Sequence, residues 1–312
     1  MRSDIINVKG QKVCKDNWVK SNQLNTENRV GCIIVTYNPD IEVLKSSLES
    51  VQKQVDLVLL VDNRSENRPD ISKLAEDFKT EIIYNIENLG TSGGFNKGID
   101  RLKLGNNIKW VLMLDQDTIL PLNYVSSLLK RFQIADICHN RVWAIRGEEK
   151  YEGKSFDNNG SFNFKQIDSA IMSASLIKME AFNYIKLREE LFLDLVDNDF
   201  YYKVKKLGYI ILSFDGIYSL HTLGRTIVIG GRPTTYENSY RTYFIVRNSV
   251  LLLCEGNMHF GLVLNIIASI IPMTYVEGLK TGVVTLVRGF VDGFRMKLSA
   301  DFVSTRNNRK TE

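Results

Sequence analysis

Two aspartates, Asp115 and Asp117, close the otherwise apolar stretch "WVLMLDQDTIL". Carboxylates at the carboxyl edge of a strand are hard oxygen ligands, able to hold a divalent cation that in turn grips a diphosphate. The same pair serves as an ordinary turn or helix cap, so its chemistry depends on what converges beside it. A second acidic cluster, "LDLVDNDF", sets Asp194, Asp197 and Asp199 among Phe192, Leu193 and Phe200. Acids crowded beside apolar residues suit a general base; a solvated loop or helix start is the other reading. The stretch "NLGTSGGFNKG", from Asn88, carries Gly90, Gly93, Gly94 and Gly98. Glycines where a strand gives way to a helix let backbone N–H groups approach a phosphate or sugar. The spacing is neither G-x-G-x-x-G nor a Walker loop, and tight helix packing explains the glycines equally well. His221 follows the strand "YIILSFDGIYSLH", as a metal ligand or as a core or surface residue.

The elements that must position these groups follow from periodicity. Gly31 to Thr36 is apolar and β-branched, which predicts a strand buried on both faces. After Pro39, Ile41, Leu44, Leu48 and Val51 fall at helical spacing. "VDLVLLVDN" is a strand, "ISKLAEDFK" a helix, "EIIYN" a strand, "GGFNKGIDRLK" a helix and "KWVLMLD" a strand. This alternation predicts a parallel sheet covered on both faces, with ligands at the carboxyl ends of its strands. Tyr37-Asn38, Asp62-Asn63, Asn88-Gly90 and Asp115-Asp117 all fall at those ends. Beyond Leu120 the pattern becomes mixed: "VSSLLKRF" a helix, "VWAIRG" a strand, and "LFLDLVDNDFYYKVKKLGY" a strand running into a helix. "SYRTYFIVRNSVLLL" opens a C-terminal helical region. There "FGLVLNIIASIIPMTYV" is uncharged for 17 residues, interrupted by Asn265 and Pro272. About 20 apolar residues span a bilayer, so a helix packed on the domain or lying in a membrane interface is expected.

Hydrophobic residues make up 44% and charged residues 24% of the 312, which excludes fibrous and membrane-embedded classes. Residues 1 to 28 are polar without a period and read as an extension, with no secretory pattern, predicting a cytosolic protein. Cys14, Cys32, Cys138 and Cys254 lie far apart and read as reduced thiols, Cys32 and Cys254 in the core. From Leu279 onward seven Lys/Arg face three acids, an excess equal to the whole net charge of +4. Such a tail suits an anionic membrane surface. A nucleic-acid partner is not expected, because no folded basic face with interleaved aromatics accompanies the tail.

In order and spacing, "VTYNP", "VDN", "NLGTSGGFNKG", "LDQDT", "FLDLVDNDF", "LHTLG" and "YFIVRN" resemble the family 2 glycosyltransferases of GT-A fold, and among them bacterial rhamnosyltransferases. The resemblance runs from about Val30 to Asn248. It implies an α/β fold: a Rossmann-like nucleotide-binding sheet, a mixed α/β acceptor half and a C-terminal helical region. The implied domains are an extension at 1–28, a catalytic domain at 29–248 and a basic, amphipathic helical region at 249–312. It further implies that Thr36, Tyr37, Asn38, Asp62 and Asn63 form the pocket for the donor's pyrimidine, Asp62 accepting from the ring N–H. Asn88, Gly90, Gly93, Gly94 and Asn96 would line the ribose and diphosphate. Asp115 and Gln116 would face the nucleotide, and Asp117, with Asp115 and His221, would hold Mg²⁺ or Mn²⁺. Asp197 matches the catalytic base, and Asp199 a residue orienting it or the acceptor.

"SAIMSAS", with Ser173, occupies the place of an acceptor-side loop. Arg241 and Arg247, beside Tyr240, Tyr243 and Asn248, would contact an acceptor phosphate or form structural salt bridges. Gln116 stands where many relatives carry a third acid, which leaves the metal open. The activity implied is inverting transfer of L-rhamnose from dTDP-L-rhamnose to a cell-surface polysaccharide or its polyprenyl-diphosphate-linked precursor, at the inner face of the membrane. A UDP-sugar donor (galactofuranose, glucose or N-acetylglucosamine) is the alternative, since thymine and uracil differ by one methyl, worth about 1–3 kcal/mol. A non-catalytic nucleotide-sugar binding protein is the other class; it would tolerate loss of Asp197.

Overall fold

The computed structural model describes residues 5–8, 11–14, 28–105, 107–135, 137–151, 163–221, 225–256 and 260–308. Two compact units emerge: Met1–Leu187 with Phe200–Thr222, and Arg188–Asp199 with Leu223–Glu312. Within the stretch expected as a periodless extension, β1 (Ile5–Val8) and β2 (Gln11–Cys14) pair antiparallel. Ile5, Ile6, Val8 and Val13 supply the β-branched residues that such a pair favours.

The first unit then alternates as expected: β3 (Val30–Thr36), α1 (Ile41–Val51), β4 (Leu57–Asp62), α2 (Arg68–Asp77), β5 (Glu81–Tyr84), α3 (Gly90–Lys103) and β6 (Trp110–Asp115). Asp40 caps α1 by accepting from the N–H groups of Glu42 and Val43. Pro69 opens α2, where its missing N–H costs nothing. α4 (Tyr124–Ile134), β7 (Val142–Tyr151), β8 (Phe164–Ile167), β9 (Ser175–Lys178), α5 (Val196–Lys206) and β10 (Ile210–His221) follow. One eight-stranded sheet runs in the order β5-β4-β3-β6-β9-β7-β10-β8. β3, β4, β5 and β6 are mutually parallel, whereas β9 is antiparallel to both its neighbours. The chain steps outward from β3 to β4 and β5, then returns to lay β6 on the other side of β3. A reversal of that kind opens a crevice between the carboxyl ends of the two strands concerned, here β3 and β6.

Side chains on both faces of β3 are buried, as its unbroken apolar run requires: Cys32 and Ile34 join Leu44, Leu48, Leu60 and Leu112 in one cluster. On the other face α3 lies unusually close. A Cβ added at Gly94 would stand 2.6 Å from Val35, and one at Gly98 2.6 Å from Ile33. Being one helical turn apart, the two glycines clear a single strip of α3 for the strand.

The second unit holds the hairpin β11 (Thr226–Ile229) and β12 (Arg232–Thr235), then α6 (Ser239–Cys254), α7 (Phe260–Glu277) and α8 (Leu279–Asn308). Gly230 and Gly231, both at positive φ, form the hairpin's two-residue turn. Gly289 and Gly293 bring α8 against Val246, Arg247 and Val250 of α6. The boundary expected between residues 248 and 249 falls inside α6. Cys32 is buried as expected, but Cys254, the last residue of α6, is exposed. "LFLDL" is not a strand: Glu189–Leu191 forms a single 3-10 turn, and Phe192, Asp194 and Leu195 all adopt positive φ, which no strand allows. The uncharged run lies in α7 with Pro272 inside it; among the described residues no helix is long and apolar enough to cross a membrane.

Overpacking at the α3–β3 contact costs about 1–3 kcal/mol. Gly98→Val is therefore expected to lower the unfolding free energy by that amount, read from urea unfolding. Gly261→Ala, facing open space in α7, is expected to gain up to about 1 kcal/mol from helix propensity.

Candidate active site

The carboxyl edge of the first unit's sheet is tied together by one buried carboxylate. Asp62, at the end of β4, has no exposed surface. It accepts from Arg68 Nε at 2.8 Å, from the Ser65 N–H at 3.2 Å and from Thr36 Oγ1 at 3.4 Å. Arg68 also donates to the Asn85 carbonyl at 2.9 Å and lies over the Tyr84 ring, which joins the end of β5 to the same group. The acceptor oxygens expected to meet a pyrimidine N–H are thus engaged within the protein, and Thr36 is buried with them. Asn38, at φ 46, donates its N–H to Ser65 Oγ at 2.8 Å and accepts the Glu66 N–H through its side chain at 2.7 Å. Tyr37 between them is half-exposed, an aromatic ring at the mouth of the crevice.

Across the crevice, β6 ends in the turn Asp115-Gln116-Asp117-Thr118, closed by the Thr118 N–H on the Asp115 carbonyl. Gln116 Oε1 accepts the Tyr37 N–H at 2.9 Å, so the residue between the two aspartates bridges β3 and β6 at their switch point. Ser173, expected to face an acceptor, is buried beneath this turn instead: its hydroxyl lies 3.0 Å from the Asp115 nitrogen and 2.8 Å from Thr118 Oγ1. It fixes the turn that carries Asp115 and Asp117, both partly exposed.

The start of α3 is held by amides. Asn63 donates to the Gly90 carbonyl at 2.9 Å and accepts from Asn85 at 2.8 Å, while Asn88 accepts the Gly90 N–H at 2.8 Å. Gly90, at φ 68, makes the entry turn. Gly93 packs against Leu89, and Gly94 and Gly98 against β3, so these three positions have no room for a Cβ. Asn96 is buried and grips both the N–H and the carbonyl of Leu187 at 3.2 and 2.9 Å. It anchors the chain where the first unit ends.

In the second unit, residues 188–199 form an irregular segment leading into α5. The Leu193 N–H reaches the Leu191 carbonyl at 2.6 Å around Phe192, at φ 61 and ψ −64. This is a γ-turn of the strained kind, and two further left-handed residues, Asp194 and Leu195, follow it. Asn248 of α6, fully buried, offsets the strain: its amide nitrogen lies 2.9, 2.7 and 3.0 Å from the carbonyls of Leu191, Leu193 and Asp194. Arg247 donates to the Glu190 and Leu191 carbonyls, and Arg241 forms an ion pair with Asp194 at 3.0 Å. Of the two readings of these arginines, the structural one describes their contacts.

Asp197 and Asp199 then fall in the first turn of α5, where the helix N-terminus favours negative charge. Asp199 is buried 3.7 Å from Arg188, whose guanidinium also makes a paired contact with Glu255 at 2.5 and 3.1 Å. Burial works against that cation, but its hydrogen bonds to Glu255 and Glu190 outweigh the cost and raise its pKa. Asp197 is the partly exposed member of the two. The side chain of His221, the last residue of β10, lies outside the described residues, as does any account of its role as a ligand.

Residues 32–186 match the family described as Glycosyl transferase family 2. Over 253 residues, 77% of this chain and 84% of the relative, the sequence is 27% identical to the dTDP-rhamnosyl transferase RfbF of Shigella flexneri. The chain belongs to glycosyltransferase family 2. Its fold is of GT-A type: it is similar to GalNAc-T7, solved with UDP, GalNAc and Mn²⁺, at a TM-score of 0.50 and 15% identity. That likeness covers 65% of this chain and 45% of the other, so the glycosyltransferase described here spans less than half of GalNAc-T7.

Several residues that organise the glycosyltransferase's strand ends and the segment before α5 escaped the sequence reading: Ser65, Arg68, Asn85 and Arg188. Asn248 was visible as part of "YFIVRN", but not its target. Removing its amide in Asn248→Ala takes that donor from the carbonyls of Leu193 and Asp194 and leaves Leu191 with Arg247 alone. Stability is expected to fall by about 1–3 kcal/mol in urea unfolding, with loss of activity, and Asn248→Asp is expected to fare no better because it supplies no N–H.

Proposed function

We propose that this glycosyltransferase moves L-rhamnose from dTDP-L-rhamnose to a hydroxyl of a polyprenyl-diphosphate-linked glycan at the inner face of the membrane, with inversion. The observation that carries the donor is the likeness to a dTDP-rhamnosyl transferase across 84% of that protein's length. The crevice between β3 and β6 supports a nucleotide there, with the half-exposed Tyr37 ring available to stack on the base and Gln116 holding the crevice walls in register.

Asp197 is the proposed base. As the acceptor oxygen bonds to the anomeric carbon, its proton passes to the Asp197 carboxylate, and the carbon–oxygen bond to the diphosphate breaks with its electron pair on the leaving group. Asp199, paired with Arg188, is a positioning residue that steadies the first turn of α5. The fixed segment before α5 keeps that turn from drifting, and small displacements at a reacting centre are costly.

Asp117, with Asp115, offers the oxygen ligands that Mg²⁺ and Mn²⁺ take. A cation of this kind is commonly held by one or two carboxylates and completes its shell with substrate phosphates. When bound, the cation would neutralise charge on the leaving diphosphate.

Nucleotide release from dTDP-L-rhamnose and a panel of UDP-sugars, each with Mg²⁺, Mn²⁺ or chelator, tests the reading. Turnover of the dTDP-sugar alone, lost with chelator and reduced roughly 10²–10⁴-fold in Asp197→Asn while dTDP still raises the melting temperature, is the expected result. Preference for a UDP-sugar would overturn the donor, and full activity in Asp197→Asn would overturn the base.

A further inference from the structure

The outward faces of α7 and α8 carry more apolar surface than an unpartnered pair of helices keeps in water. On α7, Val263, Ile267, Ile271 and Tyr275 recur every fourth residue, all exposed. On α8, Leu279, Val283, Val287, Phe290, Phe294 and Leu298 follow at spacings of three and four, with Leu279 73% and Phe290 57% exposed. At 1.5 Å per residue the second stripe is about 28 Å long. It does not serve the unit's own packing, because α8 turns Gly289 and Gly293 toward α6.

Charge identifies what covers this face. Lys280, Arg288 and Arg295 are exposed beside the stripe, and Lys297 is half-buried at its edge. The acids of α7 and α8 with described side chains are Glu277 and Asp292, and both have partners in the same unit. Glu277 accepts from Tyr236 at 2.6 Å and from the Ser239 N–H at 2.9 Å, and Asp292 accepts from Tyr243 at 2.9 Å and lies 3.7 Å from Arg295. An apolar stripe bordered by cations, on a helix not able to cross a bilayer, has the character of one lying in a lipid interface. A second copy pressed onto the same face would gather the cations of both protomers round one seam, where the described acid beside them, Asp292, is already shared between Tyr243 and Arg295.

We propose that α7 and α8 dock the protein on an anionic lipid surface, their apolar side chains inserted among the acyl chains and Lys280, Arg288, Arg295 and Lys297 against the headgroup phosphates. The anchor is thus the helical face, not the basic tail alone, and it stands apart from the identity of the donor. Attachment by charge alone disappears as salt rises; insertion leaves a salt-resistant part.

Co-sedimentation of the full chain with vesicles containing phosphatidylglycerol, beside pure phosphatidylcholine, at low and high salt, tests the proposal. Binding to the anionic vesicles that weakens but persists at high salt, and falls at least about tenfold in the Phe290→Asp/Phe294→Asp double variant, is the expected result. Phe290→Trp keeps an aromatic side chain at the site and gives a second readout: its added fluorescence should be quenched by brominated lipid, relative to the unsubstituted protein. No binding, binding that the double variant leaves intact, or a Trp that brominated lipid does not quench would each overturn the proposal. A dimer of the unsubstituted protein that the double variant splits, without vesicle binding, would assign the face to a second copy instead.

Discussion

A carboxylate without contact to water holds the carboxyl edge of the parallel strands together. Burying an ionised group is costly unless it is paired and hydrogen-bonded, and Asp62 meets that demand by drawing in Thr36 from β3, Ser65 from the following turn and Arg68 from α2. Through Arg68 the constraint extends to Asn85 beyond β5. Three strand ends that a parallel sheet would otherwise leave to separate loops are fixed relative to one another. Asn63, next in sequence, carries the same order to the start of α3. On the β3 side the crevice beside Tyr37 and Gln116 is thus braced within the protein, and the Tyr37–Gln116 hydrogen bond joins that side to β6.

The second unit achieves a comparable order by another route. Left-handed backbone at Phe192, Asp194 and Leu195 is unfavourable for residues with a Cβ, and it persists because Asn248, Arg247 and Arg241 engage the carbonyls and the carboxylate that the conformation turns toward α6. α6 is held in its turn by α8 through Gly289 and Gly293. The C-terminal helices thereby reach the segment that carries the proposed base through direct packing and hydrogen bonds: α8 fixes α6, and α6 fixes the residues before Asp197.

Much of the fold was legible because it is written in local pattern. The buried run of β3, the helical spacing of Leu44 and Leu48, and the Asp-Asn and Asp-Gln-Asp strand ends all declare themselves within a few residues. What the sequence did not disclose are partnerships between distant residues. Nothing in the spacing of Arg68 pairs it with Asp62, and nothing near Ser173 announces the turn at Asp115 above it. Arg241 and Arg247 were compatible with an acceptor phosphate until Asp194 and the carbonyls of Glu190 and Leu191 were seen to occupy them. "LFLDL" has strand composition, and only tertiary capping by Asn248 makes its left-handed path tenable. The Gly230-Gly231 turn also escaped the sequence reading, although two adjacent glycines follow the β-branched run Thr226–Ile229.

The central chemical claim is a single displacement in which Asp197 takes the acceptor's proton and no covalent sugar–enzyme species forms. The anomeric configuration of the product, read by NMR from transfer to a synthetic acceptor, tests it most directly. A product of configuration opposite to that of the donor is predicted; retention would contradict the assignment of Asp197 as the base of an inverting transfer.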